Sequence, residues 1–245
     1  MVDRHDGDVG TLLAVFAHPD DEAYLAGGLM AVAADTGRRV VCVTATKGEA
    51  GFPDDDPRSP QDRATVREIE LAACLEVLGV GEHHWLGHPD GECDAVDDEG
   101  PVDVLAALID DIAPDTVVTF GPDGQTYHPD HISVSRWTTK AVRKAAPEVD
   151  LFYAVMTPEW VEMLTRYIDP DMVMMIPGVP IPTVPAEELD LWFVCDAALA
   201  NRKAAALAAQ ESQTAGFIEM AGLEVFVGLV RDEMFRRAGA DDWPD

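Results

Sequence analysis

The stretch "TLLAVFAHPDDEAYLAGG", residues 11–28, joins an apolar run to a helical pattern through a short acidic turn. The continuous apolar character of residues 11–17 predicts a strand buried on both faces. Parallel sheets covered by helices are built from such strand–turn–helix units. The turn lacks the glycines with which a dinucleotide-binding turn approaches a pyrophosphate. It instead contains four ionisable side chains, those of His18, Asp20, Asp21 and Glu22.

The same alternation continues along the chain and predicts a doubly wound sheet. Further apolar runs typical of buried strands lie at 39–46, 83–87, 115–121 and 150–156. Segments with helical spacing lie at 22–35, 62–78, 102–113 and 130–145. We therefore predict an α/β fold with a Rossmann-like, doubly wound, mainly parallel sheet and helices on both faces, forming a single domain over residues 1–245. Functional residues of such sheets gather at the carboxyl ends of the strands, near the switch in strand order.

The pattern breaks over residues 168–190, "IDPDMVMMIPGVPIPTVPAEELD", which combine five prolines with a cluster of methionines. We predict an irregular excursion with an apolar face. This face is either a lid over a substrate or a contact between subunits, so a homo-oligomer remains an open alternative.

The net charge of the chain limits its partners. The 46 acidic and 17 basic residues give a formal charge of −29. A surface of this sign repels phosphate groups, so neither nucleic acid nor an anionic membrane is an expected partner. Solubility or adaptation to salt explains the charge without reference to chemistry.

Cysteine usage and the N-terminal sequence predict a cytoplasmic protein. The four cysteines lie far apart and form no CxxC pair, as is typical of a reduced intracellular protein. The opening residues "MVDRHDGDVG" lack the apolar core of a signal peptide. No run of about 18 apolar residues suggests a membrane span.

Helix capping is the simplest explanation for the acids of the first turn. Asp20 or Asp21 would be the N-cap, and Glu22 would interact favourably with the positive end of the helix. Capping leaves His18 unexplained, and a second cluster, "HPDH" at residues 128–131, follows the fourth predicted strand. Because a parallel sheet brings strand ends together, the two clusters favour a metal site.

Zinc is the expected metal because a catalytic zinc site takes three protein ligands and leaves a position for water. Two histidines and a carboxylate, His18, His131 and Asp21, can supply the ligands. Asp20 and His128 are then available for proton transfer. Asp130 is either a second-shell acceptor for one of the histidines or a surface cap.

The chain resembles the LmbE/PIG-L family of zinc-dependent N-acetylglucosaminyl deacetylases, which includes the mycothiol-type enzymes. The resemblance covers most of the chain and rests on five segments, "AHPDDE" (17–22), "TATKGEAG" (44–51), "VREIELAACLEVLGV" (66–80), "HPDH" (128–131) and "KAAALAAQESQ" (203–213). It implies the same metal ligands, Asp20 as general base, and His128 at the oxyanion and the leaving amine. It also implies that Arg67 binds substrate.

Two positions depart from the family pattern. Thr126-Tyr127 stands where Tyr-Gly often precedes the second histidine motif, and Gln210 stands where histidine is frequent. Asp90, just after the third predicted strand, is a candidate contact to a sugar hydroxyl, with an ordinary turn as the alternative.

The sequence thus predicts a hydrolase that removes an N-acetyl or related acyl group from an amino-sugar conjugate. Water activated by Zn²⁺, or by Fe²⁺ in its place, would attack the acyl carbon while Asp20 takes its proton, and protonated His128 would help to stabilise the oxyanion. A metal-dependent phosphoesterase and a non-catalytic module that binds a metal or a small molecule remain the alternatives.

Overall fold

The computed structural model describes residues 8–243. Most of the N-terminal segment that supports the localisation prediction lies outside this range. The four cysteines are buried and free of disulfides. Within the described range, no helix is both long and apolar enough to cross a membrane.

The described chain forms one sheet of seven strands in the order β3-β2-β1-β4-β5-β7-β6. Strands β1 to β5 pair in parallel, and β7 is antiparallel to both of its neighbours. This arrangement confirms the predicted α/β class and its mainly parallel sheet. The strands are β1 (Leu12–Phe16), β2 (Val40–Thr44), β3 (Glu82–Trp85), β4 (Thr116–Phe120), β5 (Asp150–Ala154), β6 (Leu191–Val194) and β7 (Asp232–Arg237).

Eight α-helices accompany these strands in the described range, and the four helices predicted from spacing are all present. Their observed first residues lie one to three positions before the predicted ones, and their last residues agree within one position. The helices are α1 (Asp21–Asp35), α2 (Pro60–Leu78), α3 (Glu99–Ile112), α4 (Pro129–Ala145), α5 (Pro158–Leu164), α6 (Ala197–Ala208), α7 (Glu211–Ala221) and α8 (Leu223–Leu229).

Strands β6 and β7 escape prediction because neither has the character of a buried parallel strand. β6 has only four residues, and β7 is charged at four of its six positions. β6 lies at the edge of the sheet and β7 lies next to it, and both pair only in the antiparallel sense, which tolerates polar residues. Glu233 nevertheless points inward from β7 and is 2% exposed.

The switch in strand order lies between β1 and β4. Their ladder pairs only residues 12–14 with residues 116–118. The ladders of β1 with β2 and of β4 with β5 continue two residues further, to Phe16 and Phe120. The two strands therefore part at their carboxyl ends, and the turns that follow them border a crevice.

The segment at 168–190 contains no α-helix or strand, only 3-10 turns at Pro170–Met172 and Ala186–Glu188. Three buried side chains of this segment, those of Ile168, Met174 and Ile181, join a second hydrophobic cluster that is separate from the core of the sheet. This second cluster also contains Met156 and Leu229.

Helix α1 packs so closely on the sheet that we predict opposite effects for two adjacent glycines. A Cβ at Gly28 would lie 2.4 Å from Cys195 Sγ, whereas a Cβ at Gly27 would meet its nearest neighbour at 3.4 Å. Gly28→Ala should lower the free energy of unfolding by about 1–3 kcal/mol through overpacking. Gly27→Ala should leave it unchanged or raise it by up to about 1 kcal/mol, because alanine favours helix. Urea unfolding measures both, and equal effects would refute the close approach of α1.

Candidate active site

The turn after β1 has an unusual backbone conformation at Asp20. Its φ is 101°, which is costly for a residue with a Cβ, and its side chain makes no capping hydrogen bond to α1. The buried Glu22 carboxylate instead accepts the Asp20 amide at 3.0 Å. Asp21 Oδ2 accepts the His18 amide at 2.8 Å. The capping explanation is therefore wrong for Asp20, whose carboxylate is left for another role.

The turn after β4 is also built from rare conformations. Gly124, Gln125 and Tyr127 all have φ near 60°. These turns bring His128 to the N-cap of α4, where its Nδ1 accepts the Asp130 amide at 3.1 Å. His131 lies in the first turn of α4 and is 8% exposed.

The two turns bring His18, His131 and Asp21 together. His18 Nδ1 lies 3.1 Å from His131 Nε2. Asp21 offers Oδ2 at 3.5 Å from His18 Nδ1 and Oδ1 at 3.5 Å from His131 Nε2. Ligands bound at about 2.0–2.2 Å in tetrahedral geometry lie about 3.3–3.6 Å apart. This donor set fits a divalent metal ion.

The partners of the other ring nitrogens support the same conclusion. His131 Nδ1 lies 2.9 Å from the Gly124 carbonyl, to which it must donate, so its Nε2 carries a lone pair. His18 Nε2 lies 3.2 Å from Asp130 and 3.0 Å from Asp90, two acceptors that keep a proton on Nε2, so Nδ1 offers its lone pair once a bound cation displaces the proton there. Both lone pairs therefore face the same point, as in sites where a carboxylate or carbonyl orients a metal-binding histidine.

Asp130 is fixed firmly enough to orient His18. It is fully buried and accepts the amides of Gly91 at 2.8 Å and Cys93 at 3.0 Å in addition to its contact with His18. These hydrogen bonds outweigh burial and lower the pKa of Asp130 to about 2. Of the two alternatives predicted for Asp130, the surface cap is inconsistent with this position.

The local charges favour a bound cation. Burial alone would raise the pKa of Asp21, but His131 and His18 lower it to about 2. Burial lowers the pKa of His131 to about 4, so this ring is neutral at pH 7. Burial opposes charge on His18 as well, yet the carboxylates of Asp130, Asp21 and Asp90 hold its pKa well above the usual range.

Asp20 lies beside this cluster against Arg67. Arg67 is 2% exposed, donates to the Pro19 carbonyl and has Nη2 3.3 Å from Asp20 Oδ2. Burial raises the pKa of Asp20 to about 7 against the opposing effect of Arg67. A carboxylate with a pKa near neutrality suits a general base. Arg67 also lines the cavity, but its closest polar contacts are with the turn after β1.

His128 completes the cluster of imidazoles. Its ring centroid lies 4.7 Å from that of His18 and 4.8 Å from that of His131. Burial and the neighbouring His18 lower its pKa. The structure therefore favours the neutral ring over the protonated form expected from the sequence. Because Nδ1 accepts a hydrogen bond, the proton of the neutral ring is on Nε2.

Asp90 and Gln210 both contact the segment of residues 17–22. Both oxygens of Asp90 have protein partners, His18 Nε2 at 3.0 Å and the Ala50 amide at 2.7 Å. Asp90 borders the cavity, but its contacts are those of a residue that orients His18 rather than one reserved for a sugar. Gln210 is fully buried behind the turn after β1, where its Nε2 donates to Glu22 at 2.8 Å.

A buried ion pair beneath α1 could not be anticipated from the sequence. Lys203 Nζ lies 2.6 Å from Glu233 Oε1, and neither side chain is exposed. Lys203 also donates to the Tyr24 carbonyl, and Glu233 accepts the amides of Gly28 and Leu29. The pair thus anchors the middle of the helix whose first residue is Asp21. The sequence offers one sign of this ion pair, the presence of Lys203 in the motif "KAAALAAQESQ", because β7 has no pattern that predicts a strand.

A cavity of about 1050 Å³ opens above the cluster. We call the part of its lining formed by His18, Asp20, Asp21, His128 and His131 the reacting end. The lining contributed by residues after β5, by the irregular segment and by α7 is mainly apolar. The five residues to which the sequence assigns chemistry therefore share one accessible space.

Fold and site together define a doubly wound α/β protein with a His/Asp metal site at its switch point. The model of the PIG-L family, described as GlcNAc-PI de-N-acetylase, matches residues 13–142, more than half of the chain. The chain belongs to the PIG-L family, which confirms the resemblance found in the sequence.

Relatives with assigned names agree with this membership. A protein of Acidothermus cellulolyticus named 1D-myo-inositol 2-acetamido-2-deoxy-alpha-D-glucopyranoside deacetylase is 32% identical over 236 residues, which are 84% of this chain and 80% of the relative. A protein of the same name from Mycobacterium sp. (strain KMS) is 39% identical over 166 residues, 59% of this chain. The chain spans about half of the length of the mycobacterial relative, 54%.

The fold also matches a solved structure. The N,N'-diacetylchitobiose deacetylase from Pyrococcus horikoshii superimposes with a TM-score of 0.67 at 22% identity, over 97% of this chain and 87% of the other. At this identity, the similarity establishes the fold.

We predict that the chain binds one divalent metal ion and that Asp21→Ala loses it. Loss of a residue that only supports a ligand weakens metal binding by roughly 10–100-fold. Loss of a ligand itself should weaken metal binding by more than this. Metal content after dialysis, measured by elemental analysis, tests both statements. Asp94→Ala, at an exposed aspartate of the neighbouring loop, is the matched control and should retain the ion. Two tightly held ions, or full retention in Asp21→Ala, would contradict the assigned ligand set.

Proposed function

We propose that the chain is a zinc-dependent N-deacetylase that acts on a small-molecule conjugate of N-acetylglucosamine. One observation carries the proposal: the lone pairs of His18 and His131 and the carboxylate of Asp21 face one point beside Asp20. The names of the relatives and the family description indicate the same reaction.

His18, Asp21 and His131 would hold the ion. Zn²⁺ suits two imidazoles and one carboxylate, and Fe²⁺ is the alternative ion for the same donors. When bound, the ion supplies Lewis acidity that activates water near neutral pH and polarises the acyl carbonyl.

Asp20 is the proposed general base. Its carboxylate borders the cavity and has a pKa near 7, so it can accept a proton from the attacking water at neutral pH and hold it for the leaving amine. The guanidinium of Arg67, with Nη2 3.3 Å from Asp20 Oδ2, orients this carboxylate. The Glu22 carboxyl fixes the amide of Asp20, which maintains the rare φ of this residue.

His128 is the proposed donor to the oxyanion. Its Nδ1 is occupied by the Asp130 amide, so the ring presents Nε2–H to the cavity. A preorganised donor aimed at developing negative charge stabilises the transition state without reorganisation. Asp130 and Asp90 contact His18 Nε2 rather than the ion, and they fix the orientation of the His18 ring.

Nothing in the described site favours the phosphoesterase alternative. Arg67 is the single Lys or Arg among the described residues that line the cavity, and it already contacts Pro19 and Asp20. Phosphate recognition relies on cationic donors. We also propose that the protein works in the reducing cytoplasm, which suits its four buried free cysteines.

We predict that Asp20→Asn retains the metal ion while turnover falls by roughly 10²–10⁴-fold, the usual contribution of a general base. The amide has nearly the size of the carboxylate but cannot accept the proton. Release of acetate from an N-acetylglucosaminide and metal content are measured on the same preparation.

Asp94→Asn makes the same chemical change at an exposed position and serves as the control for that experiment. Circular dichroism checks the fold of both variants. Normal turnover in Asp20→Asn would remove Asp20 from the mechanism.

We also predict discrimination against anionic substrates. Besides Glu233, whose charge is paired with Lys203, four acidic residues line the cavity, Asp20, Asp21, Asp90 and Asp232. A phosphorylated N-acetylglucosaminide should therefore show a lower kcat/KM than its neutral counterpart, and the difference should shrink as salt screens the field. Rates at low and high ionic strength provide the test. Faster turnover of the phosphorylated compound at low salt would contradict this electrostatic effect.

A further inference from the structure

The cavity is larger and more apolar than deacetylation of one sugar ring requires. Its volume of about 1050 Å³ is at the upper end of the roughly 300–1,000 Å³ typical of drug-sized ligands. Outside the reacting end, the lining includes six apolar residues, Met156, Trp160, Ile168, Met172, Met175 and Met220. We call these six residues the methionine wall.

The methionine wall has a fixed base and an exposed rim. Met156 and Ile168 are 7% and 9% exposed and belong to the second hydrophobic cluster. Met172, Met175 and Met220 are 69%, 51% and 50% exposed, although they border the same cavity. Exposed apolar side chains grouped around a cavity mark a surface that a ligand covers. Methionine suits such a surface because its flexible thioether adapts to irregular partners.

The wall is joined directly to the reacting end of the cavity. The Met175 amide donates to the Thr126 carbonyl at 3.0 Å, two residues before His128. Tyr127, between them, packs against the second hydrophobic cluster. The segment that carries Met175 is therefore hydrogen-bonded to the turn that carries His128, and both line the same cavity.

We propose that the substrate carries a hydrocarbon group that packs on the methionine wall. This inference rests on the proposed deacetylase function and specifies its substrate class: an N-acylated glucosaminide with an alkyl or aryl group, attached through the glycosidic oxygen or the acyl chain. The inositol named for the relatives is a polyol, which would leave the thioethers of the rim without an apolar partner.

Matched glycosides test the proposal. Methyl and octyl glycosides of N-acetylglucosamine form the aglycone arm, and methyl glucosaminides with N-acetyl and N-octanoyl groups form the acyl arm. The octyl or octanoyl compound of one arm should have the higher kcat/KM, by roughly fourfold for each methylene that becomes buried. Met172→Ser and Met175→Ser should reduce this ratio. Ile69→Ser, at an apolar residue 66% exposed outside the cavity lining, should not.

A binding experiment separates this inference from the proposed reaction. Octyl glucoside, which has no acyl group to release, is titrated below its micellar concentration by calorimetry, with methyl glucoside as control. Tighter binding of octyl glucoside with a negative heat-capacity change, weakened in Met172→Ser, supports the wall even if no glucosaminide is deacetylated. Absence of deacetylation of every glucosaminide would contradict the proposed function, but it would leave the inference about the wall untouched.

Two results would overturn the inference. One is equal kcat/KM within both arms together with equal affinity for octyl and methyl glucoside. The other is a dimer in solution that Met172→Ser dissociates while the octyl-to-methyl ratio stays unchanged, because the rim would then be a contact between two copies of the chain.

Discussion

The short ladder between β1 and β4 is the constraint on which the site depends. Pairing of residues 12–14 with residues 116–118 holds the two central strands side by side, and both strands are buried along their full length. Because the ladder ends before the strands do, the turns that follow are close but do not pair. His18 and His131, which are separated by 113 positions in the sequence, consequently meet at 3.1 Å.

This arrangement places several carboxylates close together in a buried site. Their mutual repulsion and desolvation are unfavourable, and the surrounding hydrogen bonds offset this cost. Unpaired carboxylates in a buried site are strongly unfavourable. Asp130 accepts two amides, Asp90 accepts one and Asp21 accepts the amide of His18. The backbone at Asp20 pays a further conformational cost. Such local strain is expected where residues are selected for chemistry rather than for stability.

The regular half of the molecule was predictable from sequence, and the reasons are physical. Apolar runs such as residues 115–121 identify buried parallel strands, and the geometry of a parallel sheet then requires that the segments after them converge. The prediction could not extend to the contacts of Asp90, because a loop without periodicity gives no signal of where it folds back. It also missed the ion pair of Lys203 with Glu233, because Lys203 lies on α6 and Glu233 lies on β7, a strand with no apolar pattern.

The predictable part of the chain carries the candidate metal site, and the less predictable part carries the methionine wall. The family match ends at residue 142, and the strands that hold the histidines lie before that point. The methionine wall is built entirely from residues 156–220, outside this match. Reaction chemistry requires fixed distances between a few polar atoms, which a parallel sheet provides in every member that retains its two central turns. Recognition of the part of the substrate that does not react requires only a surface of matching shape and polarity, which irregular backbone can vary without disturbing the sheet. A chain can therefore keep the reacting end of its relatives while the segment after β5 selects a different class of substrate.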